Sequence, residues 1–505
     1  MSLAVLYCRA RSGIDAPLVT IEVHLANGLP ALNIVGLPEL AVRESKDRVR
    51  GALLNSQFEF PARRITINLA PADLPKEGAR FDLPIALGIL AASGQIPTTA
   101  LTASEFVGEL ALSGELRPIA GALPVALAAA AANRPLVLPA ANANEAALVG
   151  GARIYAAATL LEICGHLTGQ APLPPYRASI NARGVAAPPQ PDLAEVRGQQ
   201  HAKRALEIAA AGNHSLLLSG PPGSGKSMLA SRLPGLLPQL SEREALESAS
   251  VRSISNLGFN AASWRRRPFR APHHTASGVA LAGGGSSPRP GEISLAHNGV
   301  LFLDELPEFD RRALEVLREP LERGEITISR AGRQALFPAR FQLIAAMNPC
   351  PCGHLGDGEQ QSCRCTPEQV ARYRNRISGP LLDRIDMHVE VPRLAPAALA
   401  VAGANGGDDS ARVRTRVQRC RELQHQRSGT LNSCLQGEQL RRFCQLGAPE
   451  ERLLLSAMER LGLSARAFHR IQRLARTIAD LDGREAISCA DLGEAIGYRQ
   501  LDRRR

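Results

Sequence analysis

Residues 220–227 read GPPGSGKS, a run of mostly small residues that lets successive backbone N–H groups turn inward around a phosphate. Gly220, Pro221, Pro222, Gly223, Ser224 and Gly225 are expected to form the turn. Lys226 is expected to neutralise β- and γ-phosphate oxygens, and the Ser227 hydroxyl to ligate Mg²⁺. The pattern predicts ATP and Mg²⁺ as cofactors. A second chemical group lies 78 residues beyond Lys226, in GVLFLDEL. Its apolar run suits a buried strand that delivers Asp304 and Glu305 at its carboxyl end, where ligands bind in open α/β sheets. Asp304 is expected in the Mg²⁺ shell, and Glu305 as the base that orients the attacking water. A third apolar run, FQLIAAMNP, ends at Asn348. Asn often only caps a turn, but beside a nucleotide it suits sensing of γ-phosphate and water. Arg384, in ISGPLLDRID, and Arg466, in LSARAFHR, are candidates for the cationic help that phosphoryl transfer needs, often from a neighbouring subunit.

Two further groups carry possible chemistry. Cys350, Cys352, Cys363 and Cys365 form two C-x-C pairs, a donor set suited to tetrahedral Zn²⁺, with His354 able to replace one ligand. The intervening HLGDGEQQSCRC is too polar to bury reduced thiols. The stretch EITISRAGRQALFPARFQL reads as a β-hairpin with Arg330 and Arg333 at its turn. Those two arginines, with Arg270, His273 and His274 in the preceding RRRPFRAPHHTASGVALAGGG, are candidates to meet the phosphates of a polyanion without reading bases. An exposed Arg is more often merely solvated, which is the alternative for each.

The elements that must position these groups follow from hydrophobic period. Residues 1–171 alternate short strands such as RITINLAP with helices such as DLPIALGILAAS, an α+β pattern. A Pro-rich linker is expected at 172–190. From 191 to 395, strands SLLLSG, GVLFLDE and FQLIAAMN alternate with helices, among them one over RRALEVLREPLERG, so a mostly parallel α/β sheet is predicted. Residues 396–505 lose strand signals and read as a helical lid.

Composition bounds the whole. The 505 residues carry 59 Lys and Arg against 48 Asp and Glu, with 45% apolar and 4% aromatic residues. Residues 1–170 hold 13 basic and 14 acidic residues, while 411–505 hold 19 and 11, so the positive field belongs to the later chain. Such a field favours a polyanion, although solvated helix faces account for it equally well. No apolar stretch approaches the roughly 20 residues of a membrane span. The opening MSLAVLYCRARSG places its charges after the apolar run, the wrong order for a secretory signal. Ten dispersed or clustered cysteines are no disulfide scaffold, so a reduced, cytoplasmic setting is expected.

Taken together, GPPGSGKS, RAPHHTAS, GEISLAHNGVLFLDEL, AAMNPCPCG and GPLLDRID resemble the magnesium-chelatase-like AAA+ ATPases of the ComM/YifB type. The resemblance spans essentially the whole chain. It implies an AAA+ core of the helix-2-insert type, a C-terminal helical lid, a Lon-protease-like N-terminal domain and a homo-hexameric ring. It also implies a DNA helicase that promotes branch migration during natural transformation, acting on branched or single-stranded DNA. By that match Lys226 and Ser227 are Walker A, Asp304 and Glu305 Walker B, Asn348 sensor 1, Arg384 the arginine finger and Arg466 sensor 2. The N-terminal domain departs from the protease pattern, with Arg80 where the serine would stand and Leu123 where the lysine would stand; Lys76 precedes the missing serine. A Ser–Lys dyad needs both groups. Proteolysis is therefore disfavoured, and a metallochelatase motor subunit is the other alternative to a DNA motor.

Overall fold

The computed structural model describes residues 2–177, 190–285, 288–330, 333–356, 363–394 and 409–499. The chain forms two compact units, Met1–Ala187 with Ala245–Trp264, and Pro188–Glu244 with Arg265–Arg505. Most of the expected linker at 172–190 lies outside the described residues.

The first unit is built on a seven-stranded mixed sheet. Its strands are β1 (Ser2–Arg9), β2 (Leu18–Ala26), β3 (Ala31–Val35), β4 (Arg64–Ala70), β5 (Glu105–Phe106), β8 (Leu136–Pro139) and β9 (Ile154–Ala157), in the order β3-β4-β2-β1-β5-β8-β9. A separate ribbon pairs β6 (Glu109–Leu110) with β7 (Leu116–Arg117). Strand β2 buries alternate residues, Val19, Ile21, Val23 and Leu25, as a period of two requires for one covered face. The covering helix, Asp82–Ala92, is buried along its whole length. Gly88 lets it approach, since a Cβ there would fall 2.5 Å from Val23 Cγ2. Residues 245–264, expected in the ATPase core, belong to this unit instead. Leu246 and Ala249 pack on its apolar core, and the Gly121 N–H donates to Ser253 O at 3.1 Å.

The second unit contains a five-stranded, all-parallel sheet of β10 (Leu216–Ser219), β11 (Phe269–Arg270), β14 (Val300–Leu303), β17 (Gln342–Met347) and β18 (Met387–Glu390), in the order β11-β14-β17-β10-β18. Strands β10, β14 and β17 are buried throughout. Their apolar runs fit parallel strands covered on both faces. Ser219 stands opposite Met347 and Leu303 opposite Ala345, so the carboxyl ends of all three strands open at one place. Outside the sheet, β12 (Gly283–Gly284) pairs with β13 (Arg289–Pro290), and β15 (Glu325–Arg330) with β16 (Arg333–Pro338).

Within RRRPFRAPHHTASGVALAGGG, Phe269 and Arg270 form β11, an edge strand of the core sheet paired with Val300 and Leu301. One expectation is corrected here. The single helix expected over RRALEVLREPLERG is two, Arg311–Glu315 and Arg318–Arg323. Pro320 supplies no N–H to the Val316 carbonyl four residues earlier and clashes with it, which breaks the helix there. Strand β18 carried no recognised signal in IDMHVEV. The later chain is helical as read, with helices Ser410–Ser428, Gly437–Phe443, Ala448–Leu461, Ala465–Leu481 and Cys489–Gly497. No described helix is long and apolar enough to cross a membrane.

Candidate active site

Strand β10 ends at Ser219, and the chain turns through Gly220–Gly225 into the helix Lys226–Leu236. Gly223 and Gly225 take φ of 76° and 92°, values that favour glycine. Gly220 has no room for a side chain, because a Cβ would fall 2.1 Å from Val391 O. The turn closes on its own lysine. Lys226 Nζ donates to the carbonyls of Gly220 at 2.7 Å and Pro221 at 2.9 Å, and to Asn348 Oδ1 at 3.2 Å. Burial pushes this ammonium below its usual pKa, against the pull of the Asp304 and Glu305 carboxylates.

The acids arrive from β14. Ser227 Oγ donates to Asp304 Oδ2 at 2.5 Å, and Asp304 Oδ1 accepts the Glu305 N–H at 2.9 Å. A hydroxyl and a carboxylate side by side are the hard oxygen donors that suit one hydrated Mg²⁺ held jointly with phosphate. Glu305 itself has φ 52°, an uncommon left-handed conformation for glutamate, and its half-exposed carboxylate lies 3.0 Å from His274 Nδ1. The residues expected from three distant stretches therefore meet: Lys226 with Asn348, and Ser227 with Asp304.

Comparison with known proteins identifies the family. Residues 192–399 match the model of magnesium chelatase, subunit ChlI; residues 21–142 match subunit ChlI of Mg-chelatase, and 407–499 match the ChlI C-terminal model. Competence protein ComM of Haemophilus influenzae is 54% identical, covering 100% of this chain and 98% of that one. YifB of Escherichia coli is 50% identical over 100% of this chain and 98% of its own length. A magnesium-chelatase subunit ChlI of Nostoc is 26% identical over 252 residues, 45% of this chain and 60% of its own. The chain belongs to the ComM/YifB family of magnesium-chelatase-like proteins.

In this ComM/YifB chain the two arginines expected at phosphate behave differently. Arg384 is 7% exposed, donates from Nη1 to Pro380 O at 2.6 Å and pairs through Nη2 with Glu322. Its guanidinium is thus engaged within its own chain. Arg466 is exposed on the first turn of the helix Ala465–Leu481, which Ser464 caps. Among the described residues, no hydrogen bond or ion pair joins either arginine to the Lys226–Asp304 site.

The residues expected at DNA also divide. Arg270 forms a bidentate pair with Glu292, at 2.6 and 2.7 Å, so its guanidinium is occupied by a carboxylate rather than presented to phosphate. His273 turns to Thr275 Oγ1 at 2.9 Å and lies with its ring centroid 4.1 Å from that of His274. His274 faces Glu305, a role the HH pair in RAPHHT did not announce. Arg330 and Arg333 stand opposite each other at the end of the β15–β16 hairpin, whose turn residues 331–332 lie outside the described residues.

The four cysteines come together. Their Sγ atoms all lie within 4.8 Å of one another, with Cys350 at 3.3 Å from Cys352 and 3.6 Å from Cys363. His354 is not part of that group. It contributes its backbone N–H to Cys352, which with the Arg364 N–H draws that thiol down to about 6. Tyr373, unnoticed in sequence, meets the Asn348 backbone, and burial pushes its phenol up to about 12.

The residues compared above with a protease dyad are all engaged in packing or backbone hydrogen bonds. Arg80 is buried, donates to Ala120 O at 2.8 Å, and is pushed down to about 10 by burial. Leu123 is fully buried, and Lys76 donates to the Pro71 carbonyl.

Proposed function

We propose that this chain is an ATP-driven DNA motor that works as a homo-hexameric ring in the cytoplasm and promotes branch migration during uptake and recombination of DNA. The observation that carries the ATPase part is the meeting of Lys226, Ser227, Asp304 and Asn348 at the ends of β10, β14 and β17. The DNA part draws on the competence role in the name of the Haemophilus relative and on the positive charge of the later chain.

In this reading the backbone of residues 220–225 and Lys226 bind the phosphates, while Ser227 and Asp304 hold the metal. Held by Ser227 and Asp304, Mg²⁺ would supply neutralisation of the phosphate charge. Glu305 accepts the proton of the attacking water, and His274 sets where that carboxylate points. Asn348 bridges Lys226 to the γ-phosphate and reports its loss. Arg384 acts on the neighbouring subunit's phosphate after exchanging Glu322 for it, and Arg466 closes the lid over the nucleotide. The β15–β16 hairpin, carrying Arg330 and Arg333, precedes β17 and moves with the state of Asn348 at that strand's end. The first unit, a Lon-like fold without the dyad, serves as scaffold or DNA platform.

A second reading, a metallochelatase motor, is favoured by the magnesium-chelatase models that match 192–399 and 407–499. ATPase rates measured with branched DNA, single-stranded DNA, a porphyrin and unfolded casein separate the possibilities. Stimulation by DNA alone is expected. A response to porphyrin but not DNA transfers the chain to the chelatase reading.

A further inference from the structure

The loop holding Cys350, Cys352, Cys363 and Cys365 touches the nucleotide cradle at two points. Asn348, two residues before Cys350, accepts from Lys226 Nζ at 3.2 Å. Gly353, directly after the first C-x-C pair, has φ +85° and lies so close to the P-loop that a Cβ would fall 2.6 Å from Pro222 Cδ. Arg374 Nη2 also donates to Pro349 O at 3.2 Å, tying the start of the loop to the following helix. The loop is therefore a wall of the cradle as well as a continuation of the sensor strand.

The sequence between the two thiol pairs offers little apolar material to pack. The intervening GHLGDGEQQSCRC contains one leucine and no other large apolar residue. What converges instead are four free thiols within 4.8 Å of one another. In a tetrahedral S₄ site with Zn–S near 2.3 Å the sulfurs stand about 3.8 Å apart. The Cys350–Cys352 separation of 3.3 Å and the Cys350–Cys363 and Cys352–Cys363 separations of 3.6 Å lie close to that spacing. All-sulfur tetrahedral ligation selects zinc or iron over magnesium and calcium.

We propose that Cys350, Cys352, Cys363 and Cys365 bind one Zn²⁺, and that this metal positions Pro222 and Asn348 for nucleotide binding. Loss of the metal, by chelation, frees the Gly353 turn from Pro222 and lets Asn348 drift from Lys226. The site thereby makes ATP affinity depend on whether the four thiols hold their metal.

The test uses the full chain purified without chelator. Elemental analysis is expected to find about one zinc per chain, and a mercurial thiol reagent to release it into a metal-indicator dye. Binding of a fluorescent ATP analogue should weaken about tenfold or more in the stripped protein and recover when zinc and reductant are returned. Absence of zinc, or iron in its place, overturns the metal site. Zinc present, with nucleotide affinity unchanged after its removal from protein of unchanged circular dichroism, overturns the coupling alone. Should stripping unfold the chain, Gly353→Ala decides. It keeps all four thiols and is expected to retain zinc while weakening nucleotide binding, and retention of both overturns the coupling.

Discussion

Glu305 combines an uncommon backbone conformation with a carboxylate held 3.0 Å from His274 Nδ1. A left-handed glutamate costs free energy on the order of 1–3 kcal/mol and persists only where its surroundings impose it. Here the surroundings are the end of a buried strand and the Asp304 carboxylate accepting the Glu305 N–H. Lys226 and Glu305 should consequently fail in different ways. Lys226→Ala is expected to abolish nucleotide binding, since the cradle loses its cation. Glu305→Gln should bind Mg²⁺–ATP normally and stop hydrolysis; a turnover rate equal to wild type in that variant removes Glu305 as the base. His274 touches the base and not the cradle, so His274→Ala is expected to lower kcat roughly tenfold while leaving nucleotide affinity intact. Steady-state kinetics beside equilibrium nucleotide binding separate these effects.

Between elements, the second unit is tied together by a buried carboxylate. Asp386, just before β18, accepts from Ser215 N–H at 3.0 Å, lies 3.6 Å from His214 Nδ1 and pairs with Arg470 of the helix Ala465–Leu481. Burial works against its ionisation. The Arg470 charge, the His214 ring and the Ser215 N–H overcome burial and hold the carboxyl well below the ordinary range. A depressed carboxyl contributes stability that is present above its unfolded pKa of about 3.9 and lost as pH falls through and below that value. Asp386→Asn should thus destabilise by about 1–3 kcal/mol near neutral pH, because the partly buried Arg470 loses its charge partner. The gap between variant and wild type should shrink toward pH about 3, as urea unfolding at both pH values will show. The β15–β16 hairpin gives a second prediction at this scale. Arg330→Ala with Arg333→Ala is expected to preserve basal ATPase and to reduce the salt slope of DNA binding by about one unit for each phosphate that is no longer neutralised. An unchanged slope places the DNA path elsewhere.

At the scale of the assembled molecule, the proposed ring makes one strong demand. Arg384 is paired with Glu322 and buried, so its use at phosphate requires a neighbouring subunit to compete for it. Inactive Arg384→Ala subunits mixed with inactive Lys226→Ala subunits should recover part of the ATPase activity. A fraction of the interfaces then carries an intact cradle on one side and an intact arginine on the other. Verified mixed rings with no recovery would refute action across the interface.

Much of the nucleotide site was legible in the chain because each part is contiguous. GPPGSGKS needs only its own backbone to make a phosphate loop, and a buried apolar strand ending in Asp304 and Glu305 announces where its acids emerge. The cysteine group was legible too, since a polar stretch flanked by paired thiols has little else to hold it. What the sequence left open are pairings between residues far apart along the chain. Arg270 finds Glu292, His274 finds Glu305, Arg384 finds Glu322, and residues 245–264 join the first unit. Strand β11 is two residues long, too short for any period to reveal. Local runs of residue type determine local backbone and the chemistry it displays. Which carboxylate occupies which guanidinium is decided only when the sheet order brings them within reach, because that interaction energy does not exist in the extended chain.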